Sequence, residues 1–302
     1  MQYKELKGNG PQNLKKLFSF VNRKITALLV RMQDSEHRLA ASGLPLTRAS
    51  RTLFRLRNKH KGKRCFILGN GPSLKEQDIG LLNDEFVFVT NYFFLHKDFS
   101  NLKHCFYFAG DPIFCNYAGE INPEFLESIV SSPRVTVFLN RACQPLFRKK
   151  KINLQNPVFF LKINNERKVW EGRFSTDILF ENCWGWTTII DMCLPVAFYL
   201  GFDRVYLMGC DCDYRFEKAE NFSQSYFYDI ARLPQAVLQR MRESKASGGY
   251  GHSSEIMASY NVVKKYFEDS GRRIYNAGYG GKLEVFERVN YDEVIADVSN
   301  NI

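Results

Sequence analysis

Four short clusters in this chain hold residue types suited to chemistry on a phosphorylated or hydroxylated ligand. The first is Gly69-Asn70-Gly71-Pro72-Ser73, directly after the apolar run Cys65 to Leu68. Glycine has no side chain to keep a ligand from backbone amides, so a strand that ends in such a turn suits a phosphate or nucleotide. The second is Asn91, after the apolar run Phe86 to Thr90, and the third is Gly110-Asp111, after Cys105 to Ala109. The fourth is Gly209-Cys210-Asp211-Cys212-Asp213-Tyr214, after Arg204 to Met208. Turn chemistry alone explains any one of these clusters. Convergence of all four at one edge of a sheet predicts a polar site. His252 is the natural proton acceptor to set opposite them. It is one of five histidines and follows the hinge-like run Gly248-Gly249-Tyr250-Gly251.

The elements that must position these groups follow from patterning. Short apolar runs over Cys65 to Leu68, Phe86 to Thr90, Cys105 to Ala109, Val135 to Leu139, Val158 to Leu161, Arg204 to Met208 and Arg273 to Tyr275 read as buried strands. Pro123 to Ser131, Thr187 to Leu200 and Ser254 to Ser270 read as helices, and a helical segment is expected after the Gly69 turn. Alternating strands and helices predict an α/β fold: a mostly parallel twisted sheet, Rossmann-like, with helices on both faces. Ligands of such sheets bind beyond the carboxyl ends of the strands. Residues 215–253 look irregular and aromatic-rich, as a lid over the site would be.

Before this region, residues 12–40 carry Leu14, Leu17, Phe18, Val21, Ile25, Leu28, Leu29 and Met32 at helical spacing, with Lys15, Lys16, Arg23, Lys24 and Arg31 beside them. That pattern suits a helix lying on an anionic membrane, a partner-binding helix, or one packed on its own domain. Residues 41–63 read as a polar, basic connector. The expected organisation is therefore a basic amphipathic extension over 1–62 and a catalytic domain over 63–302.

Composition narrows the partners. The 302 residues hold 42 Lys and Arg against 32 Asp and Glu, a net charge of +10. Such an excess attracts anions: a nucleotide sugar, a membrane surface or nucleic acid. Much of it precedes residue 70, which weakens the nucleic-acid reading. Among the eight cysteines, Cys65, Cys105 and Cys193 sit in apolar runs, as small hydrophobes do. No second Cys pair or nearby His completes a zinc site around Cys210 and Cys212. With a polar, charged N-terminus and no stretch apolar enough to span a bilayer, the expected location is the cytoplasm, peripheral at the inner membrane.

Ile67-Leu68-Gly69-Asn70-Gly71-Pro72-Ser73-Leu74-Lys75, Asn91, Ala197-Phe198-Tyr199-Leu200-Gly201-Phe202-Asp203-Arg204-Val205-Tyr206-Leu207-Met208-Gly209-Cys210-Asp211 and Tyr250-Gly251-His252-Ser253 resemble, in that order, the bacterial sialyltransferases of glycosyltransferase family forty-two. The likeness spans about residues 63–277. The same pattern is similar to a sister group placed with the archaeal 6-hydroxymethylpterin diphosphokinases, which the tail Ile274-Tyr275-Asn276-Ala277-Gly278 to Phe286 fits better. The sialyltransferase resemblance implies a nucleotide-sugar-binding, GT-A-like variant of the fold. It implies a CMP-activated donor, inversion at the anomeric centre and no metal cofactor. By position, Gly69, Asn70, Gly71 and Ser73 would cradle the CMP phosphate and ribose. Asn91 would face nucleotide or sugar, and Asp111 falls where the family has an Asn near the donor. His252 would be the general base, and Tyr214 and Tyr226 would hydrogen-bond the departing phosphate. Asp211, Thr187 and Thr188 complete the substrate-binding set.

Two departures matter. Trp184-Gly185-Trp186-Thr187-Thr188 stands where the family carries an Arg, so another CMP-activated acidic sugar is open as donor: a nonulosonate or 3-deoxy-manno-octulosonate. Asp211-Cys212-Asp213 suits Mg²⁺ or Mn²⁺. The alternative function is therefore a Mg²⁺-dependent diphosphokinase. A third reading is a nucleotide-binding protein without turnover. For the transferase, the expected partners are a CMP-sugar, a glycan or glycolipid acceptor of polysaccharide or lipopolysaccharide synthesis, the membrane, and a second copy in a homo-oligomer.

Overall fold

A computed structural model describes residues 10–112, 116–117, 120–132, 134–152, 154–213, 226–246 and 252–299. The chain divides into two compact units, Met1–Phe54 and Arg55–Ile302.

The first unit is dominated by the long helix α1, Gly10–Ala41. It stops at Gly43, whose φ of +96° is the left-handed cap conformation that glycine adopts most cheaply. The Leu44 amide then bonds back to the Leu39 carbonyl at 2.8 Å. A second helix, α2 (Arg48–Leu56), begins where a connector was expected. Its start is fixed by Thr47 and Ser50, which cap each other's amides, and by Glu36, which accepts from the Thr47 amide at 3.1 Å. The high density of arginine in this stretch mimics a solvated linker. On α1, Phe20, Val21, Ile25, Leu28, Leu29 and Met32 are all exposed. No helix among the described residues is long and apolar enough to cross a membrane.

The second unit is built on the α/β sheet that the sequence predicts. Its strands are β1 (Arg64–Leu68), β2 (Phe86–Thr90), β3 (His104–Ala109), β4 (Thr136–Asn140), β5 (Val158–Leu161), β8 (Arg204–Met208), β9 (Arg273–Asn276) and β10 (Glu287–Arg288), after the separate two-stranded sheet of β6 (Ile163–Lys168) and β7 (Asn182–Trp184). The order across the large sheet is β10-β9-β8-β1-β2-β3-β4-β5, and every pairing is parallel. Successive strands run outward from β1 in one direction, and the later ones return on its other side. The topological switch therefore lies between β1 and β8, where such sheets open their ligand crevice.

Alternation assigns the two faces. One carries a ladder of rings: Phe88 lies 4.8 Å from Phe106 and 5.2 Å from Phe108, Phe108 stacks on Phe138 at 4.9 Å, and Phe138 meets Phe159 at 5.2 Å. The other buries Leu68, Val87, Val89, Tyr107, Val137 and Leu139. Each fully buried ring removes enough apolar area to contribute roughly 2–3 kcal/mol. The Phe ladder ends on His60, which stacks on Phe202 at 4.8 Å and meets Phe86 at 4.5 Å.

Burial, aided by Lys59 and Lys63, pushes the His60 imidazole down to about 4. Its Nδ1 is buried without a hydrogen-bond partner. At neutral pH the ring is uncharged in both folded and unfolded chains. As the pH falls from 6.5 towards 4, the unfolded chain takes up a proton that the folded chain refuses, so stability declines across that window. The full difference amounts to about 3 kcal/mol. Denaturant unfolding at pH 7 and pH 4.5 is expected to show His60→Phe losing less stability between the two than the parent chain.

The helices α3 (Pro123–Val130), α4 (Gln144–Lys149), α5 (Leu194–Leu200), α6 (Gln235–Ala246), α7 (Ser253–Asp269) and α8 (Tyr291–Ser299) complete the unit. A π-helical turn, Ile189–Cys193, leads into α5. Two expectations need correction. The Gly69 turn leads into a five-residue 3₁₀ turn, Pro72–Glu76, not a full helix. The segment expected to be irregular contains α6, anchored by buried Val237 and Leu238.

Candidate functional site

At the switch point the loops after β1 and β8 close on each other. The Gly69 amide bonds to the Met208 carbonyl and the Gly71 amide to the Gly209 carbonyl, both at 2.8 Å. A Cβ at Gly69 would lie 2.3 Å from the Gly209 oxygen, and one at Gly71 would lie 2.5 Å from the Asp211 carboxylate. These glycines therefore serve close backbone approach. The place beside Gly71 is filled by the side chain of Asp211. That carboxylate accepts from the Ser73 amide at 3.0 Å and from the Ser73 hydroxyl. Burial raises the Asp211 carboxyl above the ordinary carboxylate range, and the two Ser73 bonds draw it back.

Asp213 lies 3.3 Å from the Lys282 ammonium, and the Lys282 amide donates to the Asp211 carbonyl. Between the two acids, Cys212 holds a φ of +48°. Among the described residues no group of three or more His, Cys, Asp and Glu is placed to hold a metal ion.

The more open polar groups lie one strand over, at the ends of β1, β2 and β3. Asn70 donates its side-chain amide to the Thr90 carbonyl at 3.1 Å and to the Thr90 hydroxyl at 2.9 Å. Its Oδ1 is buried without a partner. Asn91 follows with a φ of +53°, pinned by the Tyr107 hydroxyl, which donates to its carbonyl at 2.7 Å. The Thr188 hydroxyl donates to Asn91 Oδ1 at 3.2 Å. Gly110 admits Thr188 to this rim, because a Cβ there would lie 2.7 Å from its hydroxyl. Asn140 from β4 fixes the Gly110 carbonyl at 2.7 Å. Asp111 is half-buried at the same edge. Thr187 starts the π-turn, its hydroxyl accepting from the Ile190 amide and its carbonyl from the Asp191 amide.

His252 is joined to this rim through Trp186. The two rings stack at 3.5 Å between centroids and 11° between planes. Trp186 holds a φ of +74°, a costly conformation for a bulky side chain and one that collects at functional sites. On its other edge, His252 Nδ1 lies 2.8 Å from a Glu255 carboxylate oxygen. His252 is the N-cap residue of α7, and Glu255 stands three residues on, in the first turn. The Glu255 carboxylate and the Trp186 ring thus border the His252 imidazole on two sides.

Tyr214 lies outside the described residues, as do 215–225 and 247–251 of the expected lid. Tyr226 is half-buried and stacks on Tyr228 at 5.1 Å. Its neighbour Phe227 donates its amide to the Asn70 carbonyl at 3.1 Å. The structure thus brings Asn70, Asn91, Asp111, Thr187 and Thr188 to one rim, with His252 beside it, and folds Gly69, Gly71, Ser73 and Asp211 into the loop pair that supports it. Sequence reasoning omitted Glu255 and Trp186. Glu255 was legible in principle, as an acid three residues after His on a helix.

No protein-family model matches the chain, and none of the curated proteins does. Among solved structures, it is similar to the sialyltransferase CstII from Campylobacter jejuni in complex with a substrate analogue, cytidine-5'-monophosphate. The identity is 20% and the TM-score 0.39, covering 80% of this chain and 99% of that one.

Proposed function

We propose that the chain is a glycosyltransferase that moves an acidic sugar from a CMP-activated donor to a glycan or glycolipid acceptor, with inversion and with His252 as general base. The observation that carries this reading is a connected path: Asn70 bonds to Thr90, whose chain neighbour Asn91 accepts from Thr188, and two residues before Thr188 in the chain Trp186 stacks on His252. It sets a buried, unpartnered acceptor (Asn70 Oδ1) on the same rim as an imidazole stacked on Trp186 with a carboxylate beside it. Transfer to a hydroxyl needs a base for the incoming oxygen and polar donors and acceptors to hold the nucleotide. Tyr226, with Tyr214, is assigned to the departing phosphate, and Asp111 to the donor.

The rival diphosphokinase needs Asp211 and Asp213 together at a cation. Asp211 is engaged by Ser73 and Asp213 by Lys282, which favours the transferase. Stabilisation against heat should be larger with CMP than with UDP, GDP or ATP, and should be indifferent to Mg²⁺. A response confined to ATP with Mg²⁺ would select the rival.

The exposed stripe of α1, with Lys24 and Arg31 exposed on the same helix, supports peripheral binding to an anionic bilayer that presents a lipid-linked acceptor of polysaccharide or lipopolysaccharide synthesis. Flotation with anionic but not neutral vesicles, abolished by Leu28→Glu with Leu29→Glu, is the expected result.

A further inference from the structure

The three tryptophans of the chain meet beside His252. Trp184 and Trp186 lie 4.1 Å apart, and Trp170 lies 5.6 Å from the first and 5.9 Å from the second. They come from three places in the chain: the turn Val169–Glu171, strand β7, and the strained residue that precedes the π-turn. All three are half-buried. Packing alone does not account for two features of the cluster. The Trp186 Nε1 is buried with no hydrogen-bond partner, an unfavourable state for an N–H donor taken out of water. The Lys168 ammonium sits 4.1 Å over the Trp184 ring and 5.5 Å over the Trp170 ring, and no acidic side chain among the described residues pairs with it. Glu255, the carboxylate at this end of α7, lies against His252.

An aromatic corner with two unmet donors, next to a group that accepts protons, has a definite ligand chemistry. Aromatic faces take the apolar face of a pyranose ring, and an ammonium with an indole N–H takes a carboxylate. We propose that Trp170, Trp184, Trp186 and Lys168 form a subsite for a carboxylated sugar, with the ring against the tryptophans and the carboxylate held by Lys168 and the Trp186 N–H. The sugar class rests on the transferase reading; the anion preference rests on the unmet donors. The carboxylate belongs either to the transferred unit or to an acidic unit of the acceptor.

Because the chain holds no other tryptophan, its intrinsic emission reports this corner directly. The full chain is titrated with 3′-sialyllactose, lactose, CMP and CMP-N-acetylneuraminic acid. An emission change is expected with the two carboxylated sugars, at least about tenfold tighter than with lactose. Lys168→Gln and Trp186→Phe, which keeps the stacked ring, should each cut that preference about fivefold or more. A tighter response to the CMP-linked sugar assigns the transferred unit; a tighter response to sialyllactose assigns the acceptor. Equal responses to lactose and sialyllactose, a preference untouched by Lys168→Gln, or a Lys168-dependent response to CMP alone would overturn the subsite. The two readings fail separately. Stabilisation by CMP with emission blind to carboxylated sugars removes only the subsite. A carboxylate preference without CMP binding or transfer removes only the transferase.

Discussion

Alanine at position 252 is expected to lower the rate of sugar transfer by about 10²–10⁴-fold, the range a positioned general base contributes. The loss should fall on kcat, because the base acts on the incoming hydroxyl and not on the nucleotide. CMP should therefore still stabilise the variant against heat. The side chain of His252 is about one-third exposed and gives no hydrogen bond to cap its helix, so the fold should survive the change. Unaltered turnover in His252→Ala, measured with a CMP-sugar and a confirmed acceptor, would remove the base assignment.

The largest effect on stability is expected from Gly69→Ala. A methyl group there would meet the Gly209 carbonyl oxygen at 2.3 Å and its carbon at 2.9 Å. Both are backbone atoms, and both loops are tied to neighbouring strands by the bonds from the Gly69 and Gly71 amides. Neither can move without breaking the ladder between β1 and β8. The cost of forcing atoms into a packed interior is typically about 1–3 kcal/mol and rises where backbone must shift. In a unit of this size, 3 kcal/mol lowers Tm by roughly 6–12 °C. A Gly43→Ala control should lose far less, because no atom lies within 4 Å of a Cβ there and only the left-handed φ is penalised. Equal melting temperatures for Gly69→Ala and the parent chain would contradict the close approach.

Seven strands of the large sheet were legible because each is a short apolar run bounded by turn residues, whereas β6 (polar and half-exposed), β7 (three residues) and β10 (two exposed charged residues) carry no such run and were missed. Helices were read where an apolar stripe was long, as in α7, and missed where charge or neighbouring aromatics hid a short one. In α2, arginines surround a single buried leucine, Leu53. In α6, the buried contacts among the described side chains come from Val237 and Leu238, with Met241 half-buried beside them. The Gly69 turn was found for the right residues but with its space unaccounted for. The group beside it, Asp211, is 138 positions away in the chain, and no local pattern indicates that a carboxylate from another strand end will reach Ser73. Trp186 stood out in the sequence only as a missing arginine. Its contact with His252 joins segments that touch only after the sheet has formed.

The carboxylate of Asp211 has a consequence for how the chain meets its ligand. An acid that engages both Ser73 donors from within gives this bend its shape out of the chain's own groups, so on the transferase reading binding there would cost little ordering of the loop. On the transferase reading, discrimination among nucleotides would fall to the polar atoms beside this bend that lack a partner, foremost the side-chain oxygen of Asn70.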